Sequence, residues 1–146
     1  MYGIAIGADH RGYELKQSLL GKTNFGDTEV SWVDVGTDSL ERTDYPIYTK
    51  RVVDLVLAGA ADYGVLICGS GIGVSIAANR YVGIYAGLVW HKDVARAAKE
   101  HDNVNVLVLP ADYIAAEQAE ECISQWLTSE FLKGRYLERL QMLEEK

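Results

Sequence analysis

Short apolar runs alternate with stretches of helical periodicity from one end of the chain to the other. Residues 3–8 (GIAIGA), 29–35 (EVSWVDV), 63–67 (YGVLI), 83–89 and 104–109 read as strands. A helix is expected over about residues 11–20. A second is expected from Pro46, which suits a first helical position, to about residue 60, with Ile47, Val52, Val53, Val56 and Leu57 at helical spacing. A third should follow the glycine loop after residue 68. Two more close the chain: one bears Ile114, Ala119, Cys122, Ile123, Trp126 and Leu127 on one face, and the last covers about 130–144. Near-continuous apolar strands separated by helices predict a parallel sheet covered on both faces. With right-handed crossovers this gives an α/β fold, a doubly wound three-layer α/β/α sandwich with a five-stranded parallel sheet, Rossmann-like in class. Such sheets bind ligands beyond the carboxyl ends of their strands, so residues just after strands are the first candidates for function. Residues 1–146 show no repeat, linker or low-complexity segment and read as a single domain.

Composition narrows the partners. With 49% apolar and 24% charged residues the chain is an ordinary globular one, and no apolar run approaches the roughly 18 residues of a membrane span. The opening MYGIAIGADH lacks a basic segment and enters a strand directly, so it is not read as a signal peptide. A net charge of -7 argues against nucleic acid and anionic membranes. It also means that an anionic substrate must be held by a local cluster of cations. Cys68 and Cys122 make no disulfide framework and suit a reducing, cytoplasmic setting.

Two segments stand where chemistry is expected. After the first strand come Asp9, His10, Arg11 and Gly12; Asp9 can N-cap the next helix, and His10 beside an arginine suits an anion contact. After the third strand come Cys68, Gly69, Ser70, Gly71, Ile72, Gly73, Val74 and Ser75, opening a helix. Its glycines run G-x-G-x-G, not the G-x-G-x-x-G of dinucleotide sites, and no lysine follows to make a Walker loop. What remains is an anion-stabilising loop at a helix N-terminus with a cysteine at its mouth, where thiolate character is expected. Cys122, on an apolar helix face, reads as core. His91 follows the fourth strand, with nothing beside it to specify a role. His101 precedes the fifth strand and so belongs to the opposite end of its own sheet, unless a second subunit is involved. Arg135 and Arg139, four apart, can converge on one anion from one helix face. No cluster has metal-ligand spacing, and no cofactor is expected.

GADHRGYELK, DVGT, ERTDYP, ICGSGIGVSIAANR and the terminal GR-x-x-x-R occur here in that order, and over almost its whole length the chain resembles the ribose-5-phosphate isomerase B family, which includes the galactose-6-phosphate isomerase subunits. The resemblance implies a metal-independent aldose–ketose isomerase in which Cys68 moves a proton between C2 and C1. Loop N–H groups from Gly69 through Gly71 and Gly73 to Ser75, with Ser70 keeping the family's hydroxyl, would stabilise the enediolate. His101, with Asp9, would assist ring opening. His10, Arg135 and Arg139 would hold the phosphate, Tyr45 would line the sugar pocket, and Asp102 would neighbour the sugar. The resemblance further implies a homodimer or tetramer with shared sites, the C-terminal helix packing on the partner. Two segments depart from the family: His-Asn-Asp reads His101-Asp102-Asn103, and the Gly-Ser-Arg after the last strand reads Pro110-Ala111-Asp112. Ribose 5-phosphate is the first substrate expected. A six-carbon aldose phosphate, as in the galactose-6-phosphate enzymes, and a non-enzymatic sugar-phosphate- or nucleotide-binding module are the alternatives.

Overall fold

The computed structural model describes residues 1–145, all but the last of the predicted domain. β1 (Tyr2–Ala8), β3 (Thr28–Asp34), β4 (Tyr63–Cys68), β5 (Ala86–Leu88) and β6 (Val106–Pro110) form the five predicted parallel strands. A two-residue strand, β2 (Asn24–Phe25), adds an antiparallel edge on β3, so the sheet has six strands in the order β2-β3-β1-β4-β6-β5. Alternation within the central strands builds two cores. Ile4, Ile6, Val65, Ile67, Leu107 and Leu109 face one side, joined by Leu19 of α1 (Tyr13–Leu20) and by Cys122, Ile123 and Trp126 of α5 (Ala116–Thr128). Ala5, Leu66, Cys68, Val106 and Val108 face the other, under Val52 and Val53 of α2 (Tyr45–Leu57) and Val74 and Ala78 of α3 (Ile72–Asn79). α4 (Lys92–Asp102) lies on the first side, and α6 (Arg135–Glu144) packs on α4.

Three boundaries differ from the sequence reading by three residues or more. The strand expected over 83–89 is confined to 86–88, because side-chain amides replace much of its ladder: Asn79 exchanges two hydrogen bonds with Ala86, and Asn105 holds Tyr85 N–H and Gly83 C=O. The last helix begins at Arg135, five residues late, since Lys133 and Gly134 both have positive φ. α2 stops at Leu57, just ahead of Gly59 at φ 74°. Among the described residues no helix is long and apolar enough to cross a membrane.

Candidate active site

Three loops meet at the carboxyl edge of β1, β4 and β6, and the backbone ties them together. Asp9 N–H donates to Ile67 C=O (3.3 Å), and Asp112 N–H to Gly69 C=O (3.0 Å). The loop after β3 joins through Ala8 N–H to Gly36 C=O and Thr37 N–H to Ala8 C=O, both 2.8 Å. Asp34, which receives Gly36 N–H, is held by the fully buried Lys16 at 2.8 and 2.9 Å. This pair anchors the loop from which α2 departs.

Cys68 ends β4, buried, and accepts Gly71 N–H at 3.2 Å. Ser70 Oγ accepts Ile72 N–H at 3.1 Å. Gly71 caps α3 with φ 76°, and a Cβ there would strike Leu88 Cδ1, so a left-handed turn packed on β5 requires glycine. Close approach explains the other two glycines. A Cβ on Gly73 would meet the Tyr45 ring at 2.8 Å; one on Gly69 would meet Asp112 Oδ2 at 2.7 Å and Arg11 Nε at 2.8 Å. Tyr45 therefore lies against the start of α3, and the Arg11–Asp112 ion pair roofs the residue after Cys68. One turn into α3, Ser75 Oγ is buried with no hydrogen-bond partner among the described residues.

Asp9, also buried, accepts Arg11 N–H and Gly12 N–H (3.0 and 3.2 Å). It shapes the turn before α1, whose N-cap is Gly12, three residues beyond the Asp9 expected to cap it. His10 Nδ1 accepts Thr43 N–H at 3.3 Å, which leaves Nε2 free for another partner. Behind it the Thr43 and Tyr48 hydroxyls are 2.9 Å apart. Hydrogen bonding to Thr37, then Thr43, and the nearby Arg51 guanidinium lower the Tyr48 phenol below its usual range.

The remaining expected residues gather elsewhere. His101 stacks on Tyr136 (4.5 Å between ring centres, 13° between planes), and Arg135 and Arg139 lie over the same ring at 5.1 and 5.8 Å. α4 runs from the carboxyl edge of β5 to the amino edge of β6, on the order of 15 Å of helix. His101, Asp102, Arg135 and Arg139 thus stand at the end of the sheet away from Cys68 of the same chain. Asp102 also borders a cavity of about 620 Å³, lined mainly by residues 79–89, α4 and α6. That groove mixes apolar side chains with Asn79, Arg80, Asp102 and Glu144, and Cys68 does not line it. His91 N-caps α4, accepting Asp93 N–H at 3.1 Å. The Cys122 thiol is pushed up to about 11 by burial, as befits a core residue. No group of three or more side chains among the described residues could hold a metal ion. The Arg11–Asp112 pair was not singled out from sequence. The signals were an arginine next to His10 and an acid after the last strand, but their meeting needs the fold.

A family model described as Ribose/Galactose Isomerase matches residues 4–143. A ribose-5-phosphate isomerase B of Escherichia coli is 37% identical over 143 residues, spanning 98% of this chain and 95% of its own. The crystal structure of a ribose 5-phosphate isomerase from Thermotoga maritima is 45% identical and covers 99% of both chains, with a TM-score of 0.90. A ribose-5-phosphate isomerase B from Mycoplasma genitalium, solved with bound ribulose-5-phosphate, is 33% identical, covers 97% of this chain and 93% of its own, and has a TM-score of 0.88.

Proposed function

The chain belongs to the Ribose/Galactose Isomerase family, and on that premise we propose that it interconverts ribose 5-phosphate and ribulose 5-phosphate by proton transfer between C2 and C1. The observation that carries the reading is Cys68 at the end of β4, facing the N-terminal turn of α3 through Gly71 N–H, with Tyr45, His10 and the unpartnered Ser75 hydroxyl on the same edge. As a thiolate, Cys68 takes the C2 proton of the open-chain aldose. The electron pair moves through the C1–C2 bond to the C1 oxygen, giving an enediolate. The thiol returns the proton to C1 while the hydroxyl proton passes from O2 to O1, leaving the ketose carbonyl at C2. Those N–H groups of the 69–75 loop that have no partner within it, and the hydroxyls of Ser70 and Ser75, hold the enediolate oxygens, and His10 Nε2 faces the phosphate. Tyr45 lines the sugar.

The second half of the site comes from another copy. His101, Arg135 and Arg139 of the partner subunit assist ring opening and grip the phosphate, with Asp102 of the partner subunit beside the sugar. Two observations support this. These groups cluster away from Cys68 within one chain, and α6 contacts chiefly α4 while exposing Leu137, Met142 and Leu143, as a helix that packs on a partner would.

The test is Cys68→Ala. Turnover of ribose 5-phosphate, followed in excess chelator, should fall by about three orders of magnitude or more, while binding of the substrate stays within a few-fold of wild type. Near-normal turnover in this variant would remove Cys68 from the mechanism.

A further inference from the structure

A sugar phosphate carries about two negative charges near neutral pH, and this chain is acidic overall. The cations that one chain can offer at its own Cys68 edge therefore matter. Lys16 is committed to Asp34 and fully buried. Arg51 donates to Val35 C=O and lies over the Tyr48 ring. Arg135 and Arg139 are at the far end of the sheet. Arg11 is different: its guanidinium sits directly over Gly69, the residue that follows Cys68, and its side chain remains 58% exposed.

We infer that Arg11, aimed by Asp112, is a substrate-binding residue that contacts the phosphate of the sugar phosphate from the same chain as Cys68. The inference rests on the proposed isomerase reading. Three features carry it. Asp112 is fixed to the catalytic loop, because its N–H bonds Gly69 C=O while its carboxylate takes Arg11 Nη2. Arg11 is fixed at its backbone too, since its N–H is held by the buried Asp9 carboxylate. The pair lies directly over Gly69, where a Cβ would come within 2.7 Å of Asp112 Oδ2 and 2.8 Å of Arg11 Nε. An exposed pair of this kind adds little to stability. Its worth lies in orientation: one edge of the planar fork is taken by Asp112, and the remaining N–H donors are presented to solvent at the mouth of the loop. A dianion is met there by donors already ordered for it.

The expectation is specific to the charged end of the substrate. Arg11→Met keeps most of the stem and removes the charge. It should raise KM for ribose 5-phosphate about tenfold or more with kcat within about threefold, and should weaken inorganic phosphate, measured by calorimetry on the full chain, in step. Asp112 is a positioning residue, so Asp112→Ala should shift KM at least about threefold when Arg11 is present and leave it unchanged in the Arg11→Met background. A latch without a substrate role would give the opposite pattern: lower stability or kcat, with KM and phosphate affinity as in wild type, and that result overturns the inference. Because phosphate binding is read without turnover, an inactive wild-type chain would sink the isomerase reading alone. Equal phosphate affinity in wild type and Arg11→Met would sink this one.

Discussion

Lys99 stands in α4 with its side chain packed against aromatic rings, its ammonium 4.4 Å from the centre of Tyr63 and 5.1 Å from that of Trp126. The residue is buried, and no carboxylate lies within ion-pair distance among the described residues. Burial lowers its pKa to about 8 from the usual 10.5. The sign follows from proton counting. Between these two values the unfolded chain holds a proton that the folded chain has shed, so folding stability rises with pH across that window. A single proton caps the slope at about 1.4 kcal/mol per pH unit, and near pH 8, where the folded lysine is half deprotonated, it is about half of that. Urea unfolding at pH 7.5 to 9, wild type against Lys99→Met, should show the advantage of the methionine variant shrinking as pH rises. Parallel curves would place the Lys99 pKa outside this range. Above pH 9 the Cys122 thiol, raised to about 11, works in the opposite direction, so the comparison belongs below it.

At the scale of elements, the β4–α3 turn sets the site, and Gly71 is its pivot. Gly71→Ala would combine an unfavourable φ of 76° with a Cβ driven into Leu88. The variant should lose about 1–4 kcal/mol in denaturant unfolding, and KM and kcat should suffer together as α3 shifts. Unchanged stability would mean that the turn relaxes without cost. Much of this element was legible in the sequence, because a cysteine and closely spaced glycines between a strand and a helix have few readings. The five parallel strands and the separation of His101 from Cys68 were legible too, from apolar runs and the strand-edge rule. Other features were hidden for physical reasons. β2 has two residues and no period to read. The ends of β5 are set by Asn79 and Asn105, which carry no strand signal. Arg135 and Arg139 read as converging on one anion, and only the packing of α6 on α4 brings His101 against the Tyr136 ring over which both arginines lie. Arg11 and Asp112 are 101 positions apart and meet only because β1, β4 and β6 are neighbours.

For the molecule as a whole, the central claim is that two half-sites on opposite edges of one chain become a whole site when two copies pair. One half brings the Cys68 loop, His10, Tyr45 and Arg11; the other brings His101, Arg135 and Arg139. Two-fold symmetry makes the consequence countable. When Cys68→Ala and His101→Ala chains exchange freely in equal amounts, half the dimers are mixed, and each mixed dimer has one site with both residues intact. The measurement is ribose 5-phosphate turnover in that mixture, with exchange verified independently by mass-tagged subunits. The account predicts recovery to about a quarter of wild-type activity from two variants that are each nearly inactive. Mixed dimers that form in full yield and show no recovery would contradict it, and would mean that Cys68 and His101 never serve one substrate together.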